Sequence, residues 1–160
     1  MKKQFKFDVI LDEEDLCNRL MEKKRLLNIM DRSGRLVLYS PRRMGKTSLV
    51  NVCSKEHKKN DRDSFHLYVD LNEVESLSEV ASRFQSHYEL ALKEQVPLQK
   101  VKTYLGNLLS RLKVGLPGGL EVSLERSVKE QTELYLMSLF KELDKMSHDK
   151  RVVLMIDEFQ

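Results

Sequence analysis

The sequence predicts an α/β protein built on a parallel sheet, and three observations carry that prediction. An apolar run over Leu36–Tyr39 passes through a turn into Gly45-Lys46-Thr47 and a helical stretch. Two further apolar runs, Phe65–Val69 and Val152–Ile156, end in carboxylates, Asp70 and Asp157. Between these runs lie long stretches of helical periodicity. Strands that alternate with helices imply a parallel sheet, and a continuously apolar strand such as Val152–Ile156 suits burial on both faces.

The first junction has the order a phosphate-binding loop requires: strand, tight loop, helix N-terminus. Backbone N–H groups of the loop Ser40-Pro41-Arg42-Arg43-Met44-Gly45-Lys46-Thr47-Ser48 and the positive end of the helix would hold phosphates. Lys46 would reach the β- and γ-phosphates, and the Thr47 hydroxyl would ligate Mg²⁺. In the pattern G-x-x-x-x-G-K-[ST] the first glycine is Ser40 here. Gly45 is kept, where a side chain would most obstruct the approach of backbone to phosphate. Arg42 and Arg43 are read either as phosphate or subunit contacts or as surface charge.

Gly-Lys-Thr alone is common by chance, so the other end of the chain matters. Arg151–Glu158 is an apolar run closed by two acids. Open α/β sheets bind ligands at the carboxyl ends of their strands. Asp157 there would hold Mg²⁺ through its water shell, and Glu158 would activate an attacking water. Asp70 is a rival metal ligand by position and is read as structural, because the metal carboxylate of such proteins follows the later, more apolar strand.

The loop Ser40–Val50 together with Ile156–Gln160 resembles the prokaryotic "archaeal-type" P-loop ATPases of the AAA+/STAND lineage, in which a P-R-R-x-G-K-T-S-L loop is typical. Cys17–Glu22 resembles that family's leading N-R-E-x-E helix, with Leu20 in place of the first Glu. The resemblance implies a P-loop NTPase three-layer sandwich that binds and hydrolyses ATP with Mg²⁺. The Walker A motif would span 40–47 and the Walker B motif 152–158, around a helical and β-hairpin insertion at about 72–150. In the family a further strand, carrying a residue that senses the γ-phosphate, sits between the two motif strands, and another strand and a lid follow. The chain ends two residues past Glu158, so the expectation is the N-terminal portion of an ATPase domain over 1–160, with later strands and lid missing. The alternative is a sheet in which the two motif strands pair directly.

Taken in order, Asp12 is a candidate N-cap for a helix whose face is marked by Leu16, Leu20, Lys23/Lys24 and Leu27, with Gly34 as its stop. A strand over Arg35–Tyr39 leads into the loop and a helix from Gly45 to His57, with Leu49, Val50 and Cys53 inward. After the Phe65–Asp70 strand, Ser76-Leu77-Ser78-Glu79 has capping-box spacing. Leu77, Val80, Ala81, Phe84, Tyr88 and Leu92 follow at helical period, and Pro97 breaks the run. The next helix, about Leu98–Leu112, turns Leu98, Val101, Leu105, Leu108, Leu109 and Leu112 inward. Val114–Leu124 alternates about Pro117-Gly118-Gly119 and predicts a β-hairpin. Ser127–Met146 is helical, with Leu136, Leu139, Phe140, Leu143 and Met146 inward.

Composition bounds the function. With 160 residues, 41% hydrophobic and 33% charged, the chain is one globular domain with a real core. Its net charge of +3 neither demands nor excludes nucleic acid. Met1–Asp8 lacks a signal-peptide core and no run approaches a membrane span, so a cytoplasmic protein without membrane partners is expected. Cys17 and Cys53 form no C-x-x-C pair and read as buried thiols. His57, His66, His87 and His148 lack metal-ligand spacing.

The leading functional expectation is therefore an ATPase module with ATP and Mg²⁺ as cofactors, Lys46 and Glu158 as catalytic residues, and Thr47 and Asp157 at the metal. Its hydrolysis would drive a conformational change in a homo-oligomer or in a C-terminal effector domain outside this chain. Three alternatives stay open: a nucleotide or small-molecule kinase, a regulatory module that holds ATP without turnover, and a nucleic-acid remodeller supported by lineage alone.

Overall fold

A computed structural model describes residues 19–32, 34–41, 44–114 and 128–158. It is mostly helical, with one two-stranded parallel sheet, and divides into two compact units, Met1–Ser64 and Phe65–Gln160. The predicted hairpin, Asp12, Leu16, Cys17, Arg42 and Arg43 lie outside the described residues.

The first unit pairs α1 (Leu20–Asp31) with α2 (Lys46–Asn60). Leu26 and Met30, four residues apart and so on one face, are buried from α1. From α2 the buried set includes Leu49, Val52 and Cys53. Leu20, expected to face inward, is 78% exposed. Leu26, Leu27, Ile29 and Met30 offer α1 more than one apolar stripe, and packing on α2 selects the one through Leu26 and Met30. Polar contacts between the helices reinforce the pair: Lys23 Nζ meets Glu56 Oε2 at 2.5 Å, and His57 Nε2 lies 3.3 Å from Asp31 Oδ1. Gly34 does close α1, its N–H reaching back to the Ile29 carbonyl at 3.0 Å.

The expected strand Arg35–Tyr39 forms no ladder; Val37 and Tyr39 are 90% and 97% exposed. Strand propensity is realised only beside a partner, and the described ladder joins two other segments.

That ladder joins β1 (Phe65–Asp70) to β2 (Val152–Asp157), parallel and in register from Phe65↔Val152 to Asp70↔Asp157. Phe65, Leu67 and Val69 are fully buried, whereas Leu154 and Ile156 are 37% and 43% exposed, so β2 is not covered on both faces as expected. The outer edge of β1 is closed by a side chain. Gln95 accepts the His66 N–H at 2.9 Å and donates to the His66 carbonyl at 2.8 Å, so its amide takes the place of a strand neighbour.

Helices α3 (Leu77–Gln95), α4 (Leu98–Val114) and α5 (Val128–Ser147) complete the second unit. Ser76 caps α3 through the Glu79 N–H at 3.3 Å, but Glu79 reaches past the cap to the Glu75 N–H at 2.9 Å. The core gathers β1 residues with Phe84, Tyr88 and Leu92 of α3, Val101 and Leu108 of α4, and Leu139, Leu143 and Met146 of α5. Leu98, expected inward, is 73% exposed at the first turn of α4. Phe140, also expected inward, is 43% exposed yet stacks edge-on against Phe84 at 5.5 Å. Within this apolar layer Glu142 is fully buried and accepts a hydrogen bond from Asn107 Nδ2 at 3.2 Å.

Candidate functional site

In the first unit the candidate residues sit on one short segment that ends as the start of α2. Gly45 is the N-cap, with φ 71° and ψ 27°. This is left-handed backbone, which a residue with a Cβ enters at a cost of about 1–2 kcal/mol. A Cβ built at Gly45 would meet nothing within 4 Å. The glycine is therefore demanded by backbone conformation, and no atom of the described residues crowds it. A glycine cap contributes no side-chain oxygen, and the first turn of α2 carries no acid, so no carboxylate of that turn opposes an anion there.

Gly45, Lys46 and Thr47 are half-buried, as is Ser40, while Pro41 and Met44 are exposed and Ser48 is buried. The Lys46 ammonium donates to the Ser40 carbonyl at 3.1 Å and so links the two ends of the loop. The Arg19 guanidinium donates to the Met44 carbonyl, which ties the residue before α1 to the same loop. Arg19 was not among the residues singled out from the sequence. Its one signal was its place in the Asn18-Arg19 pair of the leading helix, and the contact spans 25 residues.

In the second unit, Asp157 ends β2 and Glu158 follows it, both half-buried. Both Asp157 oxygens are engaged: Oδ2 accepts the Tyr68 hydroxyl at 2.9 Å, and Oδ1 accepts the Glu158 N–H at 3.0 Å. Burial first, then the hydrogen bond to Asp157, pushes the Tyr68 phenol well above the usual tyrosine range; the carboxylates of Asp157, Asp70 and Glu158 add to the effect. Tyr68 thus stays a neutral donor. Glu158 has φ 51°, a left-handed conformation uncommon outside glycine and one that costs on the order of 1–3 kcal/mol at a non-glycine position. Asp70 spends Oδ1 on the Asn72 N–H at 2.9 Å and so stabilises the turn after β1, in keeping with a structural part.

No group of three or more His, Cys, Asp or Glu that could hold a metal occurs among the described residues. A Mg²⁺ bound with a nucleotide needs less from the protein, one or two carboxylates plus phosphate oxygens and water. Asp157, a half-buried carboxylate at a strand end, is of the chemical type that such an ion takes. No helix among the described residues is long and apolar enough to cross a membrane. Comparison with protein-family models, with curated proteins and with solved structures gives no match to this chain.

Proposed function

We propose that the chain is an ATP-binding P-loop ATPase module. The observation that carries this reading is the Gly45–Lys46 junction: a left-handed glycine cap that no atom of the described residues crowds, followed by a lysine whose ammonium lies over the loop carbonyl of Ser40. The motif order in the sequence, Ser40–Ser48 before Asp157-Glu158, supports it.

On this reading the N–H groups at the start of α2 bind phosphate oxygens, and Lys46 exchanges the Ser40 carbonyl for the β- and γ-phosphates. Lys46 then offsets charge on the transferring phosphoryl group. Thr47 and Asp157 would be the residues to hold Mg²⁺, which when bound would supply positive charge to the phosphates. Glu158 orients the attacking water and accepts its proton. Turnover would be coupled to a conformational change in a second copy or in an effector domain.

The test is calorimetric titration of the full chain with ATP and Mg²⁺. Lys46→Ala should abolish detectable binding while circular dichroism and melting stay near wild type. Equal affinity in the two proteins would remove the phosphate-loop assignment.

A further inference from the structure

We propose that Arg19 is a positioning residue for the phosphate loop. By holding the Met44 carbonyl it aims the Gly45 N–H at a bound phosphate, an inference that rests on the phosphate-loop reading above. It starts from the peptide unit between Met44 and Gly45. The Arg19 guanidinium donates to the carbonyl end of that unit. In a trans peptide the carbonyl and the following N–H point to opposite sides of the chain. The Gly45 N–H is therefore turned away from Arg19. It has no acceptor among the described residues, and none of their atoms crowds Gly45.

The anchor is itself fixed. Arg19 is the N-cap of α1, and its own carbonyl accepts the Lys23 N–H at 2.9 Å. α1 packs on α2 and is pinned to it by the Lys23–Glu56 pair. Gly45 opens α2, so the guanidinium and the peptide it holds stand on two joined helices. Without a donor on its carbonyl the 44–45 unit could turn, because glycine enters left-handed and other backbone regions at little cost. Arg19 removes that freedom before any anion arrives. The kind of donor counts as well. A cationic donor makes a stronger hydrogen bond than a neutral one. It also polarises the peptide, which makes the N–H at the other end a better donor. Were Arg19 only a clip between α1 and the loop, its removal would lower the melting temperature and leave phosphate affinity alone.

The experiment uses the full chain labelled with ¹⁵N-glycine, which gives one amide signal for each of six glycines. The signal missing from Gly45→Ala assigns Gly45. Calorimetry measures affinity for ATP and for inorganic tripolyphosphate, both with Mg²⁺, in wild type, Arg19→Met and Arg19→Lys. Arg19→Met keeps an apolar stem and removes the donor. It should weaken both ligands by the same factor, about tenfold, or about 1.4 kcal/mol, and shift the Gly45 signal of the free protein. Arg19→Lys restores a cationic donor and should return affinity to within about threefold of wild type. In wild type the Gly45 signal should move downfield as either ligand binds. A folded Arg19→Met protein with unchanged affinities, or with its Gly45 signal in the wild-type position, would overturn the inference. So would a loss confined to ATP, which would put Arg19 on the nucleoside instead of behind the loop.

If Arg19→Met does not fold, wild type alone still decides: a Gly45 signal unmoved at saturating tripolyphosphate would overturn the inference equally. The two readings fail separately. Wild type with no affinity for either ligand removes the phosphate loop and this inference with it. Wild type that binds Mg·ATP and loses it on Lys46→Ala, beside an Arg19→Met protein indistinguishable from wild type, removes only the role of Arg19.

Discussion

Gly45→Ala separates the conformational demand at the loop from its proposed chemistry. The added methyl meets nothing within 4 Å, so no clash or cavity enters the energetics. What remains is the left-handed conformation at φ 71°, about 1–2 kcal/mol for a residue with a Cβ. Alanine's smaller unfolded-state entropy offsets this by about 0.4–1 kcal/mol. The net expectation is destabilisation of about 1 kcal/mol, or about 2–4 °C in melting temperature for a chain of this size. Binding should respond more strongly, because the methyl fills the space over the loop that a phosphate would enter. A loss of Mg·ATP affinity of at least about tenfold, about 1.4 kcal/mol, is expected. Thermal melts and calorimetry on the same preparations read the two quantities. An unchanged melting temperature would refute the left-handed cap. A lowered melting temperature with unchanged affinity would refute the phosphate cradle while leaving the backbone geometry in place.

Two further outcomes follow from the second unit. Glu158→Gln should keep Mg·ATP binding and lose turnover, whereas Asp157→Asn should weaken the Mg²⁺-dependent part of binding; normal turnover in Glu158→Gln would show that Glu158 is not the base. Tyr88→Phe removes a fully buried hydroxyl that has no hydrogen-bond partner among the described residues and should stabilise the fold by about 1 kcal/mol in urea melts. Burial, then the Glu142 carboxylate, pushes the Tyr88 phenol up, so the native state keeps a proton that the unfolded chain loses above about pH 10. Wild-type stability is therefore unaffected below that pH and falls above it by about 1.4 kcal/mol per pH unit for each such phenol. Tyr135, pushed up to about 12 by burial first, contributes in the same sense. Tyr88→Phe should lose stability less steeply between about pH 9 and about pH 11, and parallel slopes would refute the linkage.

What could be read from the sequence was what short-range chemistry decides. The apolar runs of β1 and β2, the Ser76 cap of α3, the stop at Gly34 and the glycine before Lys46 each depend on a handful of adjacent residues. The errors came where partners are distant. Arg35–Tyr39 has strand composition, but a strand exists only beside a neighbour, and the neighbour of Val152–Asp157 is Phe65–Asp70. The buried face of α1 was misassigned because its apolar residues admit two stripes, and only contact with α2 decides between them. Tyr68 could not be singled out because its meaning lies in a register between segments 89 residues apart. The left-handed Glu158 has no sequence signature, since the position favours glycine and the residue there is an acid.

Lys46 is held by a neutral acceptor, and this bears on how readily it would respond to a ligand. Lys46 rests on a backbone carbonyl, so its ammonium is already aimed along the loop before any anion arrives. Moving to a phosphate replaces a bond to a neutral acceptor by one to a charged acceptor, and charge-assisted bonds are roughly twice as strong. The exchange therefore favours the phosphate without ordering a free side chain, whose immobilisation would cost about 0.5–1.5 kcal/mol. On the proposed reading Lys46 is thus oriented before a phosphate would bind, the condition under which electrostatic preorganisation contributes most to phosphoryl transfer.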